Sequence, residues 1–282
     1  MVKIYCDSRN RVSGTNEDFV WQIPETLDLS DSLVYIDAVL VPNVFWTVRA
    51  GYNDKIRFID NLVSSSSVLA REATVEAGQY NIITLADAVQ TAIRAVTGLT
   101  PTDIIVEPDH AKSKLKIRCT AAGGDGIEIY PDGLLTEGVA NWNSIQASLG
   151  GTFPVDEANT QSAGKVCGFL GDILIEVTAS ADAFGDSVVD VQKHHCLYVH
   201  SDLCQPGSVY GSRGENDVIR RVVIDVPQNS IAVDRHATVN DSVDVGARTL
   251  RSMSFRLSGA DGETVDLRGH HWSFSLIFIE KM

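Results

Sequence analysis

The sequence predicts an all-β protein, a jelly-roll β-sandwich that carries a small α+β insertion. Three observations predict it. The apolar segments are short and are bounded by Gly, Pro, Asn, Asp and Ser, as strands are. About six such segments lie in the second half and at least four in the first part, a count that fits two packed sheets. A single stretch, residues 84–96, has the periodicity of a good helix.

Taken in order, Val2–Cys6 alternates weakly, and Asp18–Pro24 is a strand ended by a proline that cannot donate to a ladder. Ser32–Val48 is a long apolar tract interrupted at Pro42-Asn43, read as two strands or as one strand bent at Pro42. Lys55–Asp60 alternates cleanly, which predicts one buried face. Ser64–Ser67 is a polar loop, and Ala73–Tyr80 is a strand entering a turn. In the helix, Leu85, Val89, Ile93 and Val96 share a face, Thr84 with Asp87 forms an approximate capping box, and Gly98 and Pro101 stop it. Ile104–Glu107 and Lys114–Cys119 form a hairpin, and Ile127–Tyr130 is a short strand. Residues 131–164 keep no period and form a long connection. Strands then resume at Ile173–Val177, Ser187–Val191, Cys196–His200, Ile219–Val226, Thr249–Leu257 and Trp272–Ile279, with turn chemistry at Gly259–Gly262. This reading places a jelly-roll domain at 1–67 and 131–282 and an inserted α+β module at 68–130.

The chain has 282 residues, 44% of them hydrophobic and 21% charged, the composition of a globular protein able to bury a core. Its net charge of −14 argues against direct binding to a nucleic-acid backbone, which needs clustered Lys and Arg. No apolar run reaches the roughly 18 residues that span a bilayer. The opening Met1–Asp7 meets charge too early for a signal peptide. Five widely spaced cysteines, Cys6, Cys119, Cys167, Cys196 and Cys204, fit reduced, buried thiols, with Cys196 and Cys204 the one candidate pair.

No stretch of the chain carries a chemical motif that survives inspection. Gly207–Gly214 is glycine-rich but lacks the Lys-Ser/Thr pair and helix of a phosphate loop. His194, His195, Cys196, His200 and Cys204 are of zinc-binding type, yet strand alternation sends them to different faces. His270-His271 offers a further pairing with His200, as in cupin-type metal sites. Gly164–Gly168 only superficially resembles a nucleophile elbow. Asp125, Asp132, Asp261 and Glu263 read as solvated turn carboxylates, without the spacing of a calcium loop. The Arg220-Arg221 pair in Asp217–Arg221 reads as a subunit-contact salt bridge or a solvated strand edge. Trp46, Trp142 and Trp272 could stack on a carbohydrate, but packing is the ordinary use of each, and Trp142 is expected against a partner or the insertion. No catalytic, cofactor or metal residue is assigned.

Several segments together resemble the penton-type minor capsid proteins of polinton-like viruses, adintoviruses and virophages. They are Ser8–Arg11 through Asp18–Pro24, Val39–Val48, Glu76–Tyr80 with the following helix, Cys196–Leu203, Val218–Val222, and Phe255–Leu257 through Phe274–Phe278. Each is weak alone, and their order is the signal. The resemblance implies a jelly-roll subunit forming pentamers at the vertices of an icosahedral shell, in the virion, assembled in the host cytoplasm or nucleus. It implies copies of itself and the major capsid protein as partners, no small-molecule substrate, and no enzymatic site. The alternatives are a virion spike or fibre-attachment protein, and a cupin-like or carbohydrate-binding jelly roll.

Overall fold

The computed structural model describes residues 1–28, 32–60, 69–97, 103–120, 126–132, 162–171, 175–178, 181–204, 210–211, 214–235, 241–246 and 249–281. They divide into two compact units, Met1–Phe45 with His194–Met282, and Trp46–Lys193.

In chain order the first unit opens with β1 (Val2–Asp7), β2 (Ser13–Gly14), β3 (Asp18–Asp28) and β4 (Ser32–Pro42). The second unit holds β5 (Lys55–Asp60), β6 (Leu69–Thr74), α1 (Ile82–Thr97), β7 (Ile104–Asp109), β8 (Lys114–Cys119), β9 (Ile127–Ile129), α2 (Gly164–Cys167), β10 (Ile175–Val177) and β11 (Ala183–Phe184). The first unit then resumes with β12 (Cys196–Ser201), β13 (Val218–Val223), β14 (Ile231–Asp234), β15 (Val243–Asp244), β16 (Thr249–Ser258) and β17 (Ser273–Glu280).

Strand pairing in the first unit is nested. β1 pairs with β17, β3 with β16, β4 with β14 and β15, and β12 with β13, all antiparallel. That is one long hairpin. It rolls up through two further pairings, β17 with β4 and β12 with β16. The result is two sheets, ordered β1-β17-β4-β14 and β13-β12-β16-β3-β2, with β15 also on β4. Nested pairing rolled into two facing sheets is the jelly roll. The second unit leaves the chain between β4 and β12, on the first arm of that hairpin and one step outside its innermost pair, β12 with β13.

Alternation supplies the core. Phe19, Trp21 and Ile23 on β3 share the interior with Met253, Phe255 and Leu257 on β16 and with Phe274, Leu276 and Phe278 on β17. Their rings interlock: Phe255 lies 4.6 Å from Phe274 and 5.8 Å from Phe19, and Trp272 stacks 4.8 Å from Phe274. β4 keeps its buried side inward through a bulge. Ser275 opposes Ala38 while Leu276 opposes Ile36, so Asp37 is the extra residue. Val34 and Ile36 before it and Val39 and Val41 after it therefore all reach the core.

In the second unit β10-β9-β5-β6 form one antiparallel sheet and β11-β8-β7 another. Helix α1 buries Leu85, Ala86, Val89 and Ile93. It also covers the open edge of β7, where Gln90 accepts the Val106 N–H at 2.9 Å and Arg94 donates to the Ile104 carbonyl.

Several sequence readings change. The tract from Ser32 is one strand, ending at Pro42, where Asn43 turns its amide to Ser230 and its side chain to the Val226 carbonyl. The helix begins two residues early, at Ile82, and is capped by Asn81, whose side chain accepts from Ile83 and Thr84 while Thr84 Oγ1 accepts the Asn81 N–H. The strand expected at Ala73–Tyr80 ends at Thr74 and starts at Leu69. β5 is covered on both faces, because Arg57 and Asp60 are buried as ion pairs with Glu72 and Arg71 on β6. Ser187–Val191 is not a strand. Its amides go to three separate carbonyls, Gly168, Ser113 and Val166, so no single neighbour offers a ladder. The second compact unit opens at Trp46 and closes at Lys193.

Candidate functional site

The histidine and cysteine cluster comes apart when folded. His194 is buried edge-on against Phe45 at 4.9 Å, whereas His195 is exposed. Cys196 is half-buried on β12, with its Sγ 3.8 Å from the Tyr198 hydroxyl. Cys204 is buried, and burial, aided by Asp217 and Asp202, pushes its thiol up to about 12. Cys196 and Cys204 are both free thiols. His271 turns to Ser8, 3.4 Å away, and not to His200. Among the described residues no group of three His, Cys, Asp or Glu side chains converges as metal ligands would.

What the fold does assemble is a line of three side chains from distant segments. His200 sits at a bulge in β12, only 2% exposed. Its Nδ1 lies 2.7 Å from Asp217 Oδ1 and its Nε2 lies 2.7 Å from Ser258 Oγ, at the end of β16. The order Asp-His-Ser is that of an acyl-transfer triad. The surroundings deny it that use. Ser258 is 1% exposed, and the neighbouring 220 Å³ depression is lined by Asp18, Asp202, Asp217 and Arg256 but not by Ser258. The hydroxyl also has the Gly259 carbonyl within 3.2 Å, and the Gly259 and Val265 amides already serve the Glu263 and Leu257 carbonyls. A nucleophile needs an approach path and free amides for the oxyanion. The triplet instead joins β12, β16 and the segment before β13.

Arg220 also has a structural reading. It reaches Asp234 with two bonds of 2.9 Å and Asp241 with one of 3.2 Å. β13 is the edge of one sheet and β14 the edge of the other, so this ion pair fastens the sandwich within the chain, in place of the subunit contact or solvated edge read from the sequence. Burial opposes the guanidinium charge, and the hydrogen bonds to Asp234 more than restore it. Gly164–Gly168 is a single helical turn closed by Gly168 at φ 79°, where a left-handed cap favours glycine. Asp132 is not a solvated turn carboxylate. Burial raises its proton affinity, against hydrogen bonds from Ser162 and the Lys165 amide. Trp272 is buried and donates to the Asn16 carbonyl at 2.8 Å, and Trp46 is half-buried. Trp142, Asp125 and most of Gly207–Gly214 lie outside the described residues.

Among the described residues, the surfaces that remain are the sheet faces. On the outer side of the β1-β17-β4-β14 sheet, the register sets Tyr5 beside Ser275 and Ala38, Asp7 beside Ser273, Leu40 and Val233, and Pro42 beside Ile231. Two adjoining depressions cross this face, with volumes of 340 and 470 Å³, and both are lined by Asp7, Leu40 and Ser273. Periodicity marks these outward residues only as the other half of each strand. Their neighbours across the sheet follow from register.

No family model matches the chain, and no curated protein matches it in sequence. Its fold is that of a solved structure, the penton protein of mavirus. The two are 10% identical, the match covers all of both chains, and the TM-score is 0.52. At that identity the likeness is one of fold, and it agrees with the all-β jelly roll described above.

Proposed function

We propose that this chain is a structural capsid protein that forms the pentameric vertex of the icosahedral shell of a double-stranded DNA virus. The observation that carries the proposal is the likeness over the full length of both chains to the mavirus penton protein, second unit included. The nested sandwich supports it physically. A stiff two-sheet body presents broad sides that can pack around a closed ring through heterologous contacts. The partners in this reading are four further copies and the major capsid protein, and the protein resides in the virion after assembly in the host cytoplasm or nucleus. No substrate, cofactor or nucleic-acid sequence enters the reading. A net charge of −14 keeps free subunits apart until specific contacts overcome it.

The test is the mass of the purified protein by native mass spectrometry or light scattering. The expected species is a pentamer of about 150 kDa from a 30.6 kDa chain. A strict monomer at every concentration would count against assembly, and a stable trimer would favour a spike over a vertex.

A further inference from the structure

We propose that the Ser258 hydroxyl reverses its hydrogen bond so that the buried His200 junction holds with the imidazole neutral or charged. The junction is then a proton-adaptive fastener built into the sandwich. The inference stands on the geometry of this line of side chains and is independent of the vertex reading.

The first observation is the donor count. His200 is buried and uses both ring nitrogens. Asp217 Oδ1, 2.7 Å from Nδ1, is a carboxylate oxygen that only accepts, so Nδ1 carries a proton. Nε2 faces Ser258 Oγ at 2.7 Å, and a hydroxyl both donates and accepts. With a neutral ring, Ser258 donates to Nε2. With a charged ring, Nε2 donates to Ser258 Oγ, and the hydroxyl proton needs another acceptor.

The second observation is that this acceptor is already in place. The Gly259 carbonyl lies 3.2 Å from Ser258 Oγ, and it accepts the Gly262 amide at 3.1 Å. A carbonyl oxygen has two lone pairs. This one is therefore satisfied when the hydroxyl points to His200, and it has room when the hydroxyl turns back. No member of the line is stranded in either state, and rotation about one C–O bond is the only motion required.

The third observation is the charge around the ring. His200 on β12 stands opposite Arg256 on β16, and Arg256 stands opposite Asp18 on β3. Arg256 Nη2 is 3.8 Å from Asp217 Oδ2, the oxygen that His200 does not use. Asp202, just after β12, accepts the Ser254 amide and lines the same depression as Asp18, Asp217 and Arg256. An imidazolium here meets three carboxylates and one guanidinium, and that attraction opposes the cost of burying its charge. At the other end, a Cβ at Gly259 would meet Asp261 and His194 side-chain atoms at 2.6 and 2.8 Å, so both pack against the residue whose carbonyl is used. The nearby Cys204 thiol adds no charge, because burial, aided by Asp217 and Asp202, pushes it up to about 12.

The experiment follows the histidine ring nitrogens of the full chain by NMR after 15N-histidine labelling, with the His200 signals assigned by their loss in His200→Gln. The titration runs from about pH 8 to about pH 5, the range in which histidines ordinarily change charge. Nδ1 is expected to keep its proton throughout while Nε2 passes from acceptor to N–H donor. Amide exchange at residues 199–201, 217–218 and 257–259, corrected for the intrinsic rate at each pH, is expected to change less than about two-fold. In Ser258→Ala the charged ring has no acceptor for Nε2, and exchange there is expected to speed about 10-fold as the pH falls. Ser258→Thr, which keeps the hydroxyl, is expected to restore the wild-type response. A His200 ring that keeps one form until the protein unfolds overturns the inference. So does a wild-type junction that opens as the ring gains its proton, or a Ser258→Ala response equal to that of the wild type. Should Ser258→Ala fail to fold, the wild-type titration decides by itself.

Discussion

Phe255 is the sharpest probe of the sandwich. It is 1% exposed, it lies between Phe19 of its own sheet and Phe274 of the facing one, and it is the kind of side chain whose loss cannot be refilled by solvent. Phe255→Ala removes a volume of about 100 Å³. At about 24 cal/mol per Å³ of unrelaxed void, that costs about 2.4 kcal/mol. The lost transfer energy adds about 2 kcal/mol, for a total of about 4 kcal/mol. Two ring contacts vanish as well, which places the cost in the upper part of the usual range. For a domain of roughly 130 residues, about 4 kcal/mol lowers the melting temperature by about 15 °C. The assay is guanidinium unfolding followed by tryptophan fluorescence, since Trp21 and Trp272 both lie in this core. The midpoint is expected to fall with the slope unchanged. Phe255→Leu, which keeps most of the volume, is expected to cost about 1.5 kcal/mol or less. A loss below about 1 kcal/mol for the Ala variant would refute the reasoning, because a ring seated between two sheets cannot be removed so cheaply.

Three further outcomes are expected. Arg220→Met strands Asp234 and is expected to cost about 3 kcal/mol, whereas Arg220→Met/Asp234→Leu recovers most of that loss; equal costs in an unfolding cycle would show that the pair is not the fastener. Burial pushes the Cys6 and Cys204 thiols up to about 12, so at pH 8 only about one in ten thousand is a thiolate. An alkylating reagent is then expected to label Cys196 in the native protein and the other four cysteines only after unfolding, and fast labelling of Cys6 would contradict their burial. Asp132 holds its proton more tightly folded than unfolded because burial raises its pKa, so the folded state binds more protons just above the ordinary aspartate range and stability falls as pH rises through it. Asp132→Asn is expected to remove that fall and gain on the wild type at neutral pH, and an unchanged pH slope in a melting series would exclude the carboxyl as its source.

The sequence by itself determined the all-β class, because short alternating segments bury one side only by pairing into sheets. It determined the best helix to within a turn at its start. The miss there was local: Asn81 and Thr84 cap one another, and the pattern credited only the second of the two. It also placed the hairpin of β7 and β8 and the last two strands, whose apolar periods are clean.

Tertiary structure decided what periodicity cannot encode. β5 looked half-buried, but Arg57 and Asp60 meet Glu72 and Arg71 on β6, and that pairing offsets part of the cost of taking their charges out of water. Ser187–Val191 has strand composition without a strand, because composition does not supply the neighbour that a ladder requires. The histidines shared a stretch of sequence but not a site, while His200, Asp217 and Ser258 share a site across three separate segments. Arg220 read as an outward charge and became an inward clasp only when β13 and β14 met at the sandwich edge. In each case the deciding quantity is a distance between residues far apart in the chain. Such distances are set by which strands pair and in what register, and a linear pattern constrains each strand without naming its partner.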